Sequence, residues 1–198
     1  MTTNAPPTAT RPDRDRLYDL ASAQDGYFTT AQAAEAGYST HLLFHHMSAG
    51  TVLRARRGVY RLVHFPAGEH EDLTVLWLWS GQEGVYSHET ALSLHGLSDA
   101  LPEVRHMILP LAWRSRRLRV PDELLVSFAD VDARDRGWAG AVPVTAPART
   151  IADCVRAHVS SDLIRQALQE GLERGLFRWP VVAADAHAVA LRRPRRAA

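Results

Sequence analysis

"YSTHLLFHHMSAGTVLRARRGVYRL", residues 38–62, reads as a helix followed by a hairpin. Ser39 is a good N-cap, Thr40–Ala49 carries apolar residues at helical spacing, and Gly50 ends the run. Two strand-like segments follow, Thr51–Arg54 and Val59–Leu62, joined by Ala55-Arg56-Arg57-Gly58. Four arginines fall within eight positions of this hairpin, and no acid offsets them. On a helical wheel Leu42, Leu43, His46 and Met47 share one side, which can pack inward. Thr40, His41, Phe44, His45 and Ser48 spread over the other, a mixture of donors, acceptors and one aromatic ring that suits a base-reading surface.

Upstream, Leu17, Leu20 and Ala21 recur at helical spacing within Asp13–Gln24, and Asp25-Gly26 ends that helix. "GYFTTAQAAEAG" then begins with apolar Tyr27-Phe28. A brief helix capped by Thr29 or Thr30 continues through Ala36, and Gly37 stops it. The order is helix, helix, short turn, helix, hairpin, which is the order of a winged helix-turn-helix. In that architecture the third helix presents its N-terminal residues to base edges, so Ser39, Thr40, His41, Phe44, His45 and Ser48 are the candidates for sequence reading. The hairpin is the wing. Arg56 and Arg57 at its tip would neutralise phosphates, with Arg54 and Arg61 in support.

Two other readings of these residues stay open at this level. Arginine-rich hairpins also blunt the edges of sheets against pairing, and winged helices also serve as protein-interaction modules. His41 and His45, four apart on one helix, invite a metal site, but no cysteine or carboxylate nearby in sequence completes a tetrahedral set. No metal and no cofactor is expected.

The whole chain has 198 residues, a net charge of +1 and 46% apolar residues, enough for a substantial core. Every basic residue is arginine, as GC-rich codons favour. The absence of lysine excludes a Walker-type phosphate loop, a Schiff base and a lysine-assisted nuclease centre. Residues 1–68 hold seven arginines against five acids, and residues 69–198 hold sixteen against seventeen. The longest apolar run, Leu73–Trp79, is too short to span a bilayer. The N-terminus lacks the pattern of a secretory signal, and a single cysteine, Cys154, forms no internal disulfide. The expected location is the cytoplasm.

The expected organisation is a disordered tail at 1–11, the winged helix at 12–65, a linker near Pro66 and Gly68, a mixed α/β domain at 69–191, and a basic tail at 192–198. The fold class is α+β. In the larger region a helix starts among Glu69, Glu71 and Asp72, and Val85-Tyr86 begins a strand. Ser87 caps a helix through His95, "VRHMILP" reads as a buried strand, and Trp113–Arg119 is a basic run with four arginines. "ELLVSF" is another strand. "AVPVTAPARTIADCVRA" gives a strand and then a helix from about Pro147, and Asp162–Arg174 is amphipathic, with a last helix at Val181–Leu191. Ser87, His88, Glu89 and His95 suggest a hydrolase, but triads are built by fold geometry and no nucleophile elbow is present, so no catalytic residue is assigned.

Three ordered blocks, from "GYFTTAQAAEAG" through "RARRGVYRL", then "SHETALSLHGLS", then "VPVTAPARTIADC", resemble the AbiEi family of type IV antitoxins over residues 12–175. The resemblance implies an N-terminal winged helix that binds inverted repeats in double-stranded promoter DNA and represses its own operon. It implies a C-terminal domain that helps neutralise a nucleotidyltransferase-like toxin encoded nearby, and no enzymatic activity. Arg56, Arg57, Gly58, Val59 and Tyr60 match the family's wing. Binding to a symmetric operator would be by a dimer or by cooperative monomers. A solitary winged-helix regulator, or an interaction module without a toxin, is the alternative. The second half also resembles the leading part of proteins that end in a very-short-patch-repair-like endonuclease domain. This chain stops about 45 residues after "TAPARTIADC" and has no lysine for such a core, so the nuclease half is read as absent.

Overall fold

The computed structural model describes residues 11–178. The N-terminal tail, the expected helix at Val181–Leu191 and the basic tail at 192–198 lie outside the described residues. The chain divides into two compact units, one reaching Gln82 and one starting at Glu83. The architecture is α+β.

The first unit contains α1 (Arg14–Ser22), β1 (Tyr27–Thr29), α2 (Thr30–Glu35), α3 (Thr40–Ser48), β2 (Val52–Arg56), β3 (Val59–Leu62) and α4 (Glu71–Trp79). Its helices start where side chains can satisfy the free N–H groups of a first turn. Asp13 accepts from the Arg16 amide at 2.9 Å, and Ser39 accepts from the Leu42 amide at 3.2 Å. Thr29 and Gln32 cap α2 reciprocally: the Thr29 hydroxyl accepts from the Gln32 amide, and Gln32 Oε1 accepts from the Thr29 amide. Leu17, Ala21, Phe28, Ala33, Tyr38, Leu43, Val52 and Tyr60 meet in one core, with Leu42 and Met47 against it.

The three strands form an antiparallel sheet in the order β1-β3-β2. Sequence alone marks Tyr27-Phe28 only as an apolar segment. It is a strand because it pairs with β3, and Phe28 stacks on Tyr60 at 5.8 Å between ring centroids. The hairpin also departs from expectation. β2 continues through Ala55 and Arg56, and the register shifts between Arg54 and Arg56. Ala55 is the extra residue of a bulge, so the turn shortens to Arg57-Gly58.

The first unit is larger than the sequence indicates. Helix α4, expected at the head of the second region, packs on the three-stranded sheet instead. Its Thr74 hydroxyl donates to Asp25 at 2.9 Å. Just after it, Gln82 Nε2 donates to Gln24 Oε1 at 2.7 Å, joining the buried Gln24–Gln32 pair. The expected linker is packed too: a Cβ on Gly68 would lie 2.7 Å from the Asp25 side chain, which only glycine avoids.

The second unit contains β4 (Val85–Tyr86), α5 (His88–Leu94), β5 (Arg105–Leu109), β6 (Leu124–Phe128), β7 (Arg136–Ala139), β8 (Val142–Thr145), α6 (Pro147–Arg156) and α7 (Ser161–Glu173). Its sheet runs β6-β5-β4-β8-β7, with parallel pairs β4–β8 and β5–β6 and antiparallel pairs β4–β5 and β7–β8. All four residues of β8 are buried, as a strand covered on both faces requires. Leu92, Leu97, Ile151, Cys154, Ile164, Leu168 and Phe177 form the core shared by α5, α6 and α7.

Candidate nucleic-acid interface

Helix α3 is held by Leu43, which is 1% exposed, and by Leu42 and Met47. That anchoring fixes which residues face outward. Ser39, Thr40, His41, Phe44, His45 and Ser48 are all exposed, so the six residues selected from the sequence lie along one accessible surface. Phe44 is 66% exposed, an unusual setting for a phenyl ring that nothing in the unit covers. Ser48 donates back to the Phe44 carbonyl at 3.1 Å and spends its hydroxyl within the helix. His46 belongs to the inner side. Its Nδ1 lies 3.0 Å from the Thr51 hydroxyl and its ring packs on Tyr38 at 5.6 Å, tying the end of α3 to the start of the hairpin.

The hairpin lies next to α3 through β2. Arg54 and Arg57 are exposed, and Arg56 is half-buried because the bulge carries it into the strand. Gly58 turns the chain with φ of 82°, a conformation that favours glycine. Its carbonyl accepts from the Thr30 amide at 3.0 Å and from the Thr30 hydroxyl at 3.4 Å. The wing tip is thus tied to the first residue of α2, a fastening that no local sequence signal announces.

Arg61, expected to support the wing on phosphates, is engaged within the first unit. Nε and Nη2 both donate to Glu71 Oε1, at 3.1 and 2.8 Å, and Nη2 also donates to the Phe65 carbonyl at 3.0 Å. The guanidinium lies over the Tyr27 ring at 5.6 Å. Burial and then the Glu71 carboxylate push the Tyr27 hydroxyl above its ordinary value. Arg61 fastens α4 to the sheet, and its charge is already matched. The physical reason is position: β3 is the central strand, so its side chains meet neighbours on both sides.

The second unit holds a polar cavity of about 530 Å³ lined by His88, Asp135, Arg149, Asp153 and Arg156. Asp153 is buried and accepts from Arg149 Nε at 2.9 and 3.0 Å and from Arg156. Arg149 also faces Asp135 at 3.5 Å. Acid and base are therefore matched within the cavity. His88 sits at φ of 50°, and its Nδ1 meets the buried Ser87 hydroxyl at 2.9 Å, where sequence reading places a simple cap. Burial lowers the His88 pKa, against the pull of Asp153. Burial raises the Cys154 thiol to about 12, so it is a core residue and not a nucleophile. Among the described residues, no group of three or more ligating side chains could hold a metal ion, and no helix is long and apolar enough to cross a membrane.

No curated protein matches the chain. Among solved structures, the chain is similar to the RV2827C protein from Mycobacterium tuberculosis, at 16% identity and a TM-score of 0.44, over 98% of this chain and 87% of that one. Residues 15–63, from α1 to the end of the hairpin, match the family model described as "Transcriptional regulator, AbiEi antitoxin".

Proposed function

We propose that the protein is an antitoxin that represses its own promoter by binding inverted repeats in duplex DNA. Base edges in the major groove would be met by Ser39, Thr40, His41, Phe44 and His45, with Phe44 suited to a thymine methyl and the imidazoles to base acceptors. Arg54, Arg56 and Arg57 would contact phosphates and fix position without reading sequence. The observation that carries this reading is the shared placement of an exposed, polar helix surface and an arginine-bearing wing in the segment that matches a regulator family. Two copies would meet a symmetric operator, as a dimer or cooperatively.

Arg54, Arg56 and Arg57 would meet three phosphates per copy. They contribute a slope of log affinity against log salt of roughly −2.7. A titration of the chain's promoter duplex, followed by fluorescence anisotropy at several salt concentrations, tests the proposal. Flat salt dependence, or equal affinity for promoter and unrelated duplexes, refutes it. The second activity, counteracting a nucleotidyltransferase-like toxin from a neighbouring gene, is tested by co-expression. Growth arrest by the toxin should be relieved by the full chain.

A further inference from the structure

The first unit holds a cavity of about 350 Å³. Its walls come from α1, from α3 with the residues that flank it, and from the chain around the end of β3. Every lining residue falls between Arg14 and Phe65, so the cavity belongs wholly to this unit. Its volume lies at the small end of the range of about 300–1,000 Å³ for ligand pockets, with room for one or two fused rings.

The lining is mostly apolar, and much of it is aromatic. Leu17 and Val52 are buried and supply aliphatic surface together with Leu62. Tyr18 meets Phe65 at 6.2 Å between ring centroids, with the planes tilted by 55°. Tyr38 meets His46 at 5.6 Å with a tilt of 50°. Two tilted pairs offer faces and edges to a further ring, the arrangement in which aromatic groups attract one another.

The charge in the lining has one sign. Arg14 brings a guanidinium, and no carboxylate lines the cavity. Burial raises the Tyr38 hydroxyl above its ordinary value; of the charges it feels, Arg14 acts most strongly and lowers it, ahead of Asp13 and Asp15, which raise it. Polar capacity is also left over. His46 Nδ1 is engaged by the Thr51 hydroxyl at 3.0 Å, while its Nε2 and the Tyr38 hydroxyl make no hydrogen bond among the described residues.

We propose that this cavity is a binding site for a small aromatic carboxylate. The rings of Tyr18, Tyr38 and Phe65 receive its aromatic body, and Arg14 receives its carboxylate through charge-assisted hydrogen bonds. Tyr38 immediately precedes the Ser39 cap and His46 lies in the last turn of α3, so the ligand touches that helix at both ends. The site stands whether or not α3 meets DNA.

The test is a titration of the isotope-labelled full chain with naphthoate, beside its uncharged counterpart naphthamide, followed by backbone amide chemical shifts. Naphthoate should bind with a dissociation constant of roughly 0.1–1 mM, as suits a ligand of this size. The shifts should concentrate at Leu17, Thr51, Val52 and Leu62. Naphthamide should bind about tenfold more weakly, because it forgoes the charge-assisted bond. Arg14→Gln, at an exposed position, should keep the spectrum of the folded chain and lose the preference for naphthoate. Equal binding of the two compounds, or an unchanged preference in Arg14→Gln, would reduce the site to an unselective apolar cleft and overturn the proposal. Shifts centred on the second unit, or no saturable shift, overturn it as well.

Discussion

Arg61 and Glu71 are joined by two hydrogen bonds that converge on a single carboxylate oxygen, at 3.1 and 2.8 Å. The pair spans from the central strand of the small sheet to the first turn of α4. Both side chains are less than a third exposed, so the pair is screened less than one in open solvent. Removing either partner leaves the other partly buried without its match.

Arg61→Gln is therefore expected to destabilise the first unit by about 1 kcal/mol, with a fall in Tm of roughly 5 °C. It should leave the salt slope for DNA unchanged, because the guanidinium is not free for phosphate. Thermal unfolding and anisotropy titration on the same preparation separate the two effects. A fall in slope with no change in Tm would return Arg61 to the DNA surface.

The wing and the reading helix should fail in different ways. Arg54→Gln with Arg57→Gln lowers affinity for every duplex by a similar factor and makes the salt slope shallower by about 1.8. His41→Ala or His45→Ala instead narrows the gap between promoter and unrelated DNA, by about 1–3 kcal/mol for each base-reading side chain removed. Competition with unrelated duplex reads that gap directly. Equal losses from both kinds of change would merge two roles that the proposal keeps apart.

Acid should loosen the second unit. His88, His95 and His106 are all held below the ordinary imidazole value, chiefly by burial. Glu89 pulls His106 upward, Asp153 pulls His88 upward, and the Thr145 carbonyl does so for His95, while Arg174 pushes His95 down. The unfolded chain thus binds protons more readily than the folded one below about pH 6.5. Stability is complete above that value and falls as pH drops through the lowered folded values. Unfolding followed from neutral to mildly acid pH should show a declining Tm, and His95→Gln should flatten the decline. A Tm independent of pH in that range would mean that these rings are solvated.

Cys154 should be silent in the folded protein. Its side chain is fully buried and its thiol is raised to about 12. A disulfide reagent at neutral pH should modify it only after denaturant is added. Rapid labelling of the native chain would show that the helical core of the second unit opens.

Helix α3 is legible in the sequence because local and global demands agree there. The Ser39 cap, the Leu43 anchor and the Gly50 stop are encoded within twelve residues. Features that arise from pairing between distant segments are not legible. β1 exists because Phe28 meets Tyr60, and no run of three residues announces that. The bulge at Ala55, which places Arg56 in the strand and not the turn, is a matter of register. α4 reads as part of the second region because Pro66 and Gly68 have the composition of a linker, while Asp25–Thr74 and Arg61–Glu71 draw the segment back. β7 escapes sequence reading altogether: Gly137 and the exposed Trp138 break any alternation, and only pairing with β8 makes it a strand.

The Gly58 carbonyl, bonded twice to Thr30, leaves the hairpin with no slack at its turn. A partner that docks on such a rigid arm does not have to immobilise it first, so little conformational entropy is surrendered on association. If the hairpin meets duplex DNA as proposed, the same tie would make it less tolerant of a groove of the wrong width.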